Sequence, residues 1–166
     1  MTPEGAQEIL QFLLPQLQQE SATTRKLLAA VPAQNCNYKP SDLCMTALAL
    51  ASHIALSEVF FLRGAVNGAF EWKAVQFQTP AEALAYYDEH VAALIAEVGT
   101  FAGEKLAQPI TFAIWSEPAV AFLNIGLKHT IHHRGQLSAY LRPIGAKVPS
   151  IYGPTADEPR HAAASS

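Results

Sequence analysis

Apolar residues recur three and four positions apart in four stretches of the chain, with Pro and Gly breaks between them. That periodicity predicts four amphipathic helices. The first opens at Thr2-Pro3-Glu4, a capping hydroxyl followed by a proline suited to the first helical turn. Its inner stripe is read as Ile9, Phe12 or Leu13, Leu17, Leu27 or Leu28, and Val31. Pro15 lacks an N–H and its ring crowds the preceding turn, so it should bend or split this helix; Val31-Pro32 closes it. The second helix is expected to start between Ser41 and Thr46 and to reach Leu62 or Arg63, with Gly64 as its stop. Thr79-Pro80-Ala81-Glu82 forms a capping box for the third, whose inner face is marked by Leu84, Tyr87, Val91, Leu94 and Val98 before Gly99. The fourth begins near Ser116-Glu117-Pro118 and runs to about Arg142, where Pro143 and Gly145 end it. Between the last two helices, Phe101 to Trp115 holds a β-prone run from Ile110 to Phe112, and is read as a hairpin or an irregular crossover.

Four amphipathic helices without a strong strand predict an all-α fold, a four-helix bundle of the kind whose core hosts metal and cofactor sites. One domain over residues 1–158 accounts for the whole pattern, with 159–166 as a flexible C-terminal tail. The segment from Lys147 is expected to dock on the bundle through Ile151 and Tyr152.

Composition narrows the function. Half of the 166 residues are hydrophobic and 15% are charged, enough apolar side chains for a packed core. The net charge is -3, and the eleven Lys and Arg residues are scattered, without the dense basic stripe that phosphate binding requires, so nucleic acid is not an expected partner. The longest stretch free of Asp, Glu, Lys and Arg, Leu43 to Ser57, is shorter than the roughly 20 apolar residues of a membrane span. Cys36 and Cys44 make neither a disulfide framework nor a C-x-x-C motif. With no basic lead-in before Arg25, the expectation is a cytoplasmic protein with no membrane partner.

The chemistry concentrates in Lys128-His129-Thr130-Ile131-His132-His133-Arg134-Gly135-Gln136. His129 and His133, four apart, are neighbours on one helix face and can present two imidazole nitrogens to one ion. Phe122, Gly126, Gln136 and Tyr140 are read onto the same face, while His132 points roughly 100° away from His133. An H-x-x-x-H pair alone could be two surface residues. His53 changes that, because it sits in Ala47-Leu48-Ala49-Leu50-Ala51-Ser52-His53-Ile54-Ala55-Leu56, where an unpartnered imidazole would cost roughly 1–3 kcal/mol. A hydrogen bond could satisfy it. Metal ligation explains all three histidines together.

A His53, His129, His133 set leaves an open position for water or substrate and suits one divalent ion, zinc or nickel, with iron as a further option. Glu58, five residues after His53, is expected to face water or an ion-pair partner. The E-x-x-H pairs of a di-iron bundle are lacking, since Glu158 and His161 flank Pro159. His90 reads as a surface residue and Tyr87 and Tyr140 as core residues with polar tips; Cys44 could lie near the site or be inert.

The placement of His53 and the run His129-x-x-x-His133-Arg134-Gly135-Gln136, continued by Leu141-Arg142-Pro143-Ile144-Gly145 and Val148-Pro149-Ser150-Ile151-Tyr152-Gly153, resembles the DinB-like family of damage-inducible proteins. The likeness spans about Met1 to Glu158. It implies an up-down-down-up bundle, often a homodimer, with His53, His129 and His133 on a divalent metal, and relatives that act with low-molecular-weight thiols such as bacillithiol or mycothiol. The expected function is then a metalloenzyme that activates a thiol in the manner of an S-transferase. Two alternatives stand beside it. A metal-dependent hydrolase needs a general base, for which Glu89 and Glu117 are positional guesses; a metal-stabilised stress or interaction module needs no reaction at all.

Overall fold

The computed structural model describes residues 1–158; the predicted tail at 159–166 lies outside the described residues. Its elements are α1 (Pro3–Ala29), α2 (Ala47–Asn67), α3 (Pro80–Val98), the short α4 (Gly103–Ala107), β1 (Pro109–Phe112), β2 (Trp115–Pro118), α5 (Ala119–Leu141) and a 3-10 turn at Arg142–Ile144. The fourth predicted helix is therefore α5. The predicted crossover resolves into α4 and an antiparallel hairpin, Phe112 opposite Trp115, with Ala113 at positive φ in its turn.

Three helix starts follow their side-chain caps. Thr2, Thr46 and Thr79 hydroxyls accept from the backbone N–H groups of Gly5, Ala49 and Glu82, and the Glu82 carboxylate accepts from Gln78 N to close the box around Thr79. Two expectations need correction. α1 is not split at Pro15: it is one helix of 27 residues, and both Pro15 and Gln11, whose carbonyl loses its donor, are exposed residues, so no buried acceptor is orphaned. α2 does not stop at Gly64 but runs on to Asn67 and is capped by Gly68 at φ 71°, the left-handed conformation that glycine adopts freely. Gly64 is instead a packing glycine, since a Cβ there would lie 2.1 Å from the Phe70 ring.

The core stripe of α1 is Ala6, Leu10, Leu13, Leu17, Thr24 and Leu27, while Ile9 and Phe12 are turned outward. On α3 the buried set is Ala83, Tyr87, Val91, Ile95 and Val98, with Leu84 and Leu94 only partly covered. α2 packs against α3 and α5; α1 packs against α3, α4 and α5. α1 and α3 run in opposite senses, since Arg25 meets Asp88 and Leu14 lies against Gly99. α2 and α5 are likewise opposed, with His53 beside His133 and Phe61 against Gly126.

α2 is long and apolar enough to cross a membrane by length and composition, a test passed by no other described helix. Its apolar face is spent inside the protein, with Leu50, Ile54, Val59 and Leu62 all buried against other helices. Past α5, Ile151 packs on the core as expected, whereas Tyr152 docks by its hydroxyl and stays 68% exposed.

Candidate metal centre

His53 stands in the second turn of α2, and His129 and His133 lie one turn apart on α5, facing it across the seam. Gly126 makes that seam close: a Cβ there would sit 2.6 Å from Phe61 Cβ, so only glycine lets α5 approach α2 one turn before His129. The result is that one ligand nitrogen from each of the three histidines lies within 4.8 Å of the others. His53 Nε2 and His129 Nε2 are 3.3 Å apart. Two nitrogens each bound at about 2.0–2.1 Å to one tetrahedral ion stand close to that separation.

The imidazoles are prepared for ligation in two further ways. His133 Nδ1 is 2.7 Å from Gln136 Oε1, and as the amide oxygen can only accept, the proton sits on Nδ1 and the Nε2 lone pair is left free. Burial holds the proton affinity of His53 below the usual value, with the positive charge that His133 can carry adding to it; burial first, then the charges that His133, His53 and His132 can carry, push His129 down to about 4. Both rings are thus neutral near pH 7, the form that binds metal. His129 Nδ1 is buried and finds no hydrogen-bond partner among the described residues. All three residues are only half-buried, so the cluster remains reachable from solvent.

The other expected residues separate cleanly. His132 is exposed and His90 packs edge-on against Tyr86, away from the cluster. Glu89 and Glu117 are exposed, and no described carboxylate joins the three histidines. Cys44 hydrogen-bonds to Ser41, 3.3 Å away, in the α1–α2 connection. Tyr87 and Tyr140 are buried core residues with polar tips, as read from the sequence. Gln136 was placed on the inner face but is exposed, reaching His133 along the helix surface.

Glu58 overturns its expectation. It is buried, and its carboxylate accepts from the Tyr87 hydroxyl at 2.9 Å rather than facing water. Burial raises its pKa to about 7, against the lowering effect of the Tyr87 hydrogen bond. Arg134, given no role of its own in the sequence reading, is 1% exposed and reaches across to Glu20, Thr24 and the Tyr152 hydroxyl. A signal for both was present. Glu58 falls on the stripe Ala51, Ile54, Leu62, Ala65, and Arg134 on Thr130, Leu137, Leu141, each at the i, i+3, i+4, i+7 spacing of an inner face.

Comparison with known proteins bears on the family and the fold. The DinB family model matches residues 7–163. The chain belongs to the DinB family. This DinB-family chain is 24% identical to the uncharacterised protein YrdA of Bacillus subtilis over 155 residues, which is 91% of this chain and 92% of YrdA. Its fold is similar to that of a DinB-like protein from Bacillus cereus, with a TM-score of 0.73 and 22% identity over 84% of this chain and 95% of that one. It is also similar to the DinB-like protein YjoA of Bacillus subtilis, with a TM-score of 0.67 and 21% identity over 84% of this chain and 96% of YjoA.

Proposed function

We propose that this chain is a metalloenzyme of the thiol-transferase kind, holding one divalent ion, zinc or nickel, on His53, His129 and His133 of an up-down-down-up four-helix bundle. The observation that carries the reading is the convergence of one ring nitrogen from each of three histidines, on two helices, within 4.8 Å. Three protein ligands and a half-exposed position leave room for an exogenous ligand, as catalytic sites require. A cation held there lowers the pKa of a coordinated thiol and so supplies a thiolate at neutral pH.

The chain's own part is to hold and orient. Burial keeps His53 and His129 unprotonated, Gln136 fixes the tautomer of His133, and Gly126 sets the helix spacing that brings the rings together. Hydrolysis is the weaker reading because it needs a base beside the ion. Glu58, the one buried carboxylate among the described residues, is instead engaged by Tyr87.

The test is cobalt substitution. The protein refolded with one equivalent of cobalt is expected to show a visible band that shifts on adding a low-molecular-weight thiol. A cobalt spectrum indifferent to every cellular thiol tried removes the thiol reading, and ester or amide cleavage abolished by chelator would replace it with hydrolysis.

A further inference from the structure

α2 carries one half-buried stripe along its length: His53, Leu56, Phe60 and Arg63, spaced three, four and three residues apart. Ten residues at a rise of about 1.5 Å set Arg63 roughly 15 Å along the helix from His53. At the Arg63 end the stripe enters a cleft of about 50 Å³, closed on one side by Tyr86 of α3 and on the other by the α2–α3 connection, which brings Trp72 and Lys73 over it. The Trp72 ring lies 5.8 Å from Phe60, centre to centre, and is 69% exposed. A buried water needs about 10–15 Å³ of such space, so the cleft has room for a group of several heavy atoms.

The charge in this cleft is only partly matched. The Arg63 guanidinium meets only the neutral Tyr86 hydroxyl, Nη1 donating at 3.4 Å, and pairs with no described carboxylate. Glu71 on the rim offsets one of the two cations, Arg63 and Lys73, which leaves a single positive charge. That balance suits a monoanion better than a phosphate dianion, and the planar fork of arginine matches a carboxylate.

We infer that the cleft at Arg63 anchors a carboxylate on the small molecule that this enzyme uses, with an apolar middle lying along Leu56, Phe60 and Trp72. The cleft itself is independent of the metal; placing the ligand's reacting atom at the histidines rests on the function proposed above. The inferred ligand class is an elongated acidic molecule, carboxylate at one end and thiol or electrophile at the other.

Trp115→Phe leaves Trp72 as the single tryptophan, and its fluorescence reports the cleft. In that background 3-phenylpropionate is expected to quench saturably in the millimolar range, and its neutral counterpart 3-phenylpropanol to bind about tenfold more weakly or worse. Arg63→Gln should weaken the acid by about tenfold, and Arg63→Lys, which keeps the charge, by less. Unchanged melting temperatures show that both variants fold. No saturable response to the acid, or equal response to acid and alcohol, or indifference to Arg63→Gln, overturns the inference. The His53→Ala protein separates the two readings: it should lose metal and keep the probe. A wild-type protein that binds metal but not the probe removes the cleft and leaves the metal centre standing.

Discussion

At the scale of residues, the structure divides its ionisable groups into three that converge and several that resemble them only in type. Single replacement of His53, His129 or His133 by Ala is expected to reduce bound metal at least about tenfold, while His90→Ala and His132→Ala leave it nearly unchanged; elemental analysis of the purified variants reads this directly. Gln136→Ala should weaken the metal by a smaller factor, about tenfold at most, through loss of the tautomer-fixing hydrogen bond. Glu58 and His129 make opposite demands on pH. The folded pKa of Glu58 is raised from 4.5 to about 7, so the folded state holds its proton more tightly and stability is lost as pH rises from 4.5 through about 7. Glu58→Gln, which still accepts from Tyr87, should therefore melt higher than wild type at pH 8 and gain nothing near pH 4. The folded pKa of His129 is depressed from 6.5 to about 4, so in the metal-free protein stability is lost as pH falls across that window. A thermal melt series of metal-free His129→Gln should be flatter there than that of wild type.

Elements decide how closely these residues meet. The α2–α5 seam is set by Gly126, and a methyl group there has nowhere to go except against Phe61. Gly126→Ala is expected to cost about 1–3 kcal/mol, the range for forcing extra carbon into a packed interior, and to weaken metal binding more than an equally destabilising change elsewhere. Gly64→Ala, which meets the Phe70 ring, supplies that comparison. The element boundaries legible in the sequence were those with local chemistry: the threonine caps at Thr2 and Thr79, and the end at Gly145. The far end of α2 was misplaced because Gly64 and Gly68 look alike as helix stops, and only contact with Phe70 shows which one is a packing residue. Pro15 was misread as a possible break because its effect depends on whether the freed carbonyl faces protein or water.

For the molecule as a whole, Arg134 ties α5 to Glu20 and Thr24 of α1 and to the C-terminal segment through Tyr152. Removing it leaves Glu20 without its ion-pair partner. Arg134→Met should destabilise the protein by about 3–5 kcal/mol, the usual cost of breaking a buried pair from one side, and free residues 147–158 to exchange their amide protons faster. The histidine site, which includes the preceding residue His133, joins α5 to α2. Chelation of the loaded protein is accordingly expected to lower its melting temperature, by an amount that grows with the free metal concentration used as reference.

Periodicity and capping determined the number, order and approximate span of the long helices, since each depends on neighbours within a few residues. The H-x-x-x-H spacing likewise brought His129 and His133 together, because four residues make about one turn. What the sequence left open was everything set by partners distant along the chain. Whether His53 reaches that pair, which glycine is a stop and which a contact, and whether Glu58 and Arg134 are solvated or enclosed are questions of packing between helices. A charged side chain on an inner stripe looks like an exception until the opposing helix supplies its partner. Only the folded chain places Tyr87 over Glu58 and Glu20 beneath Arg134.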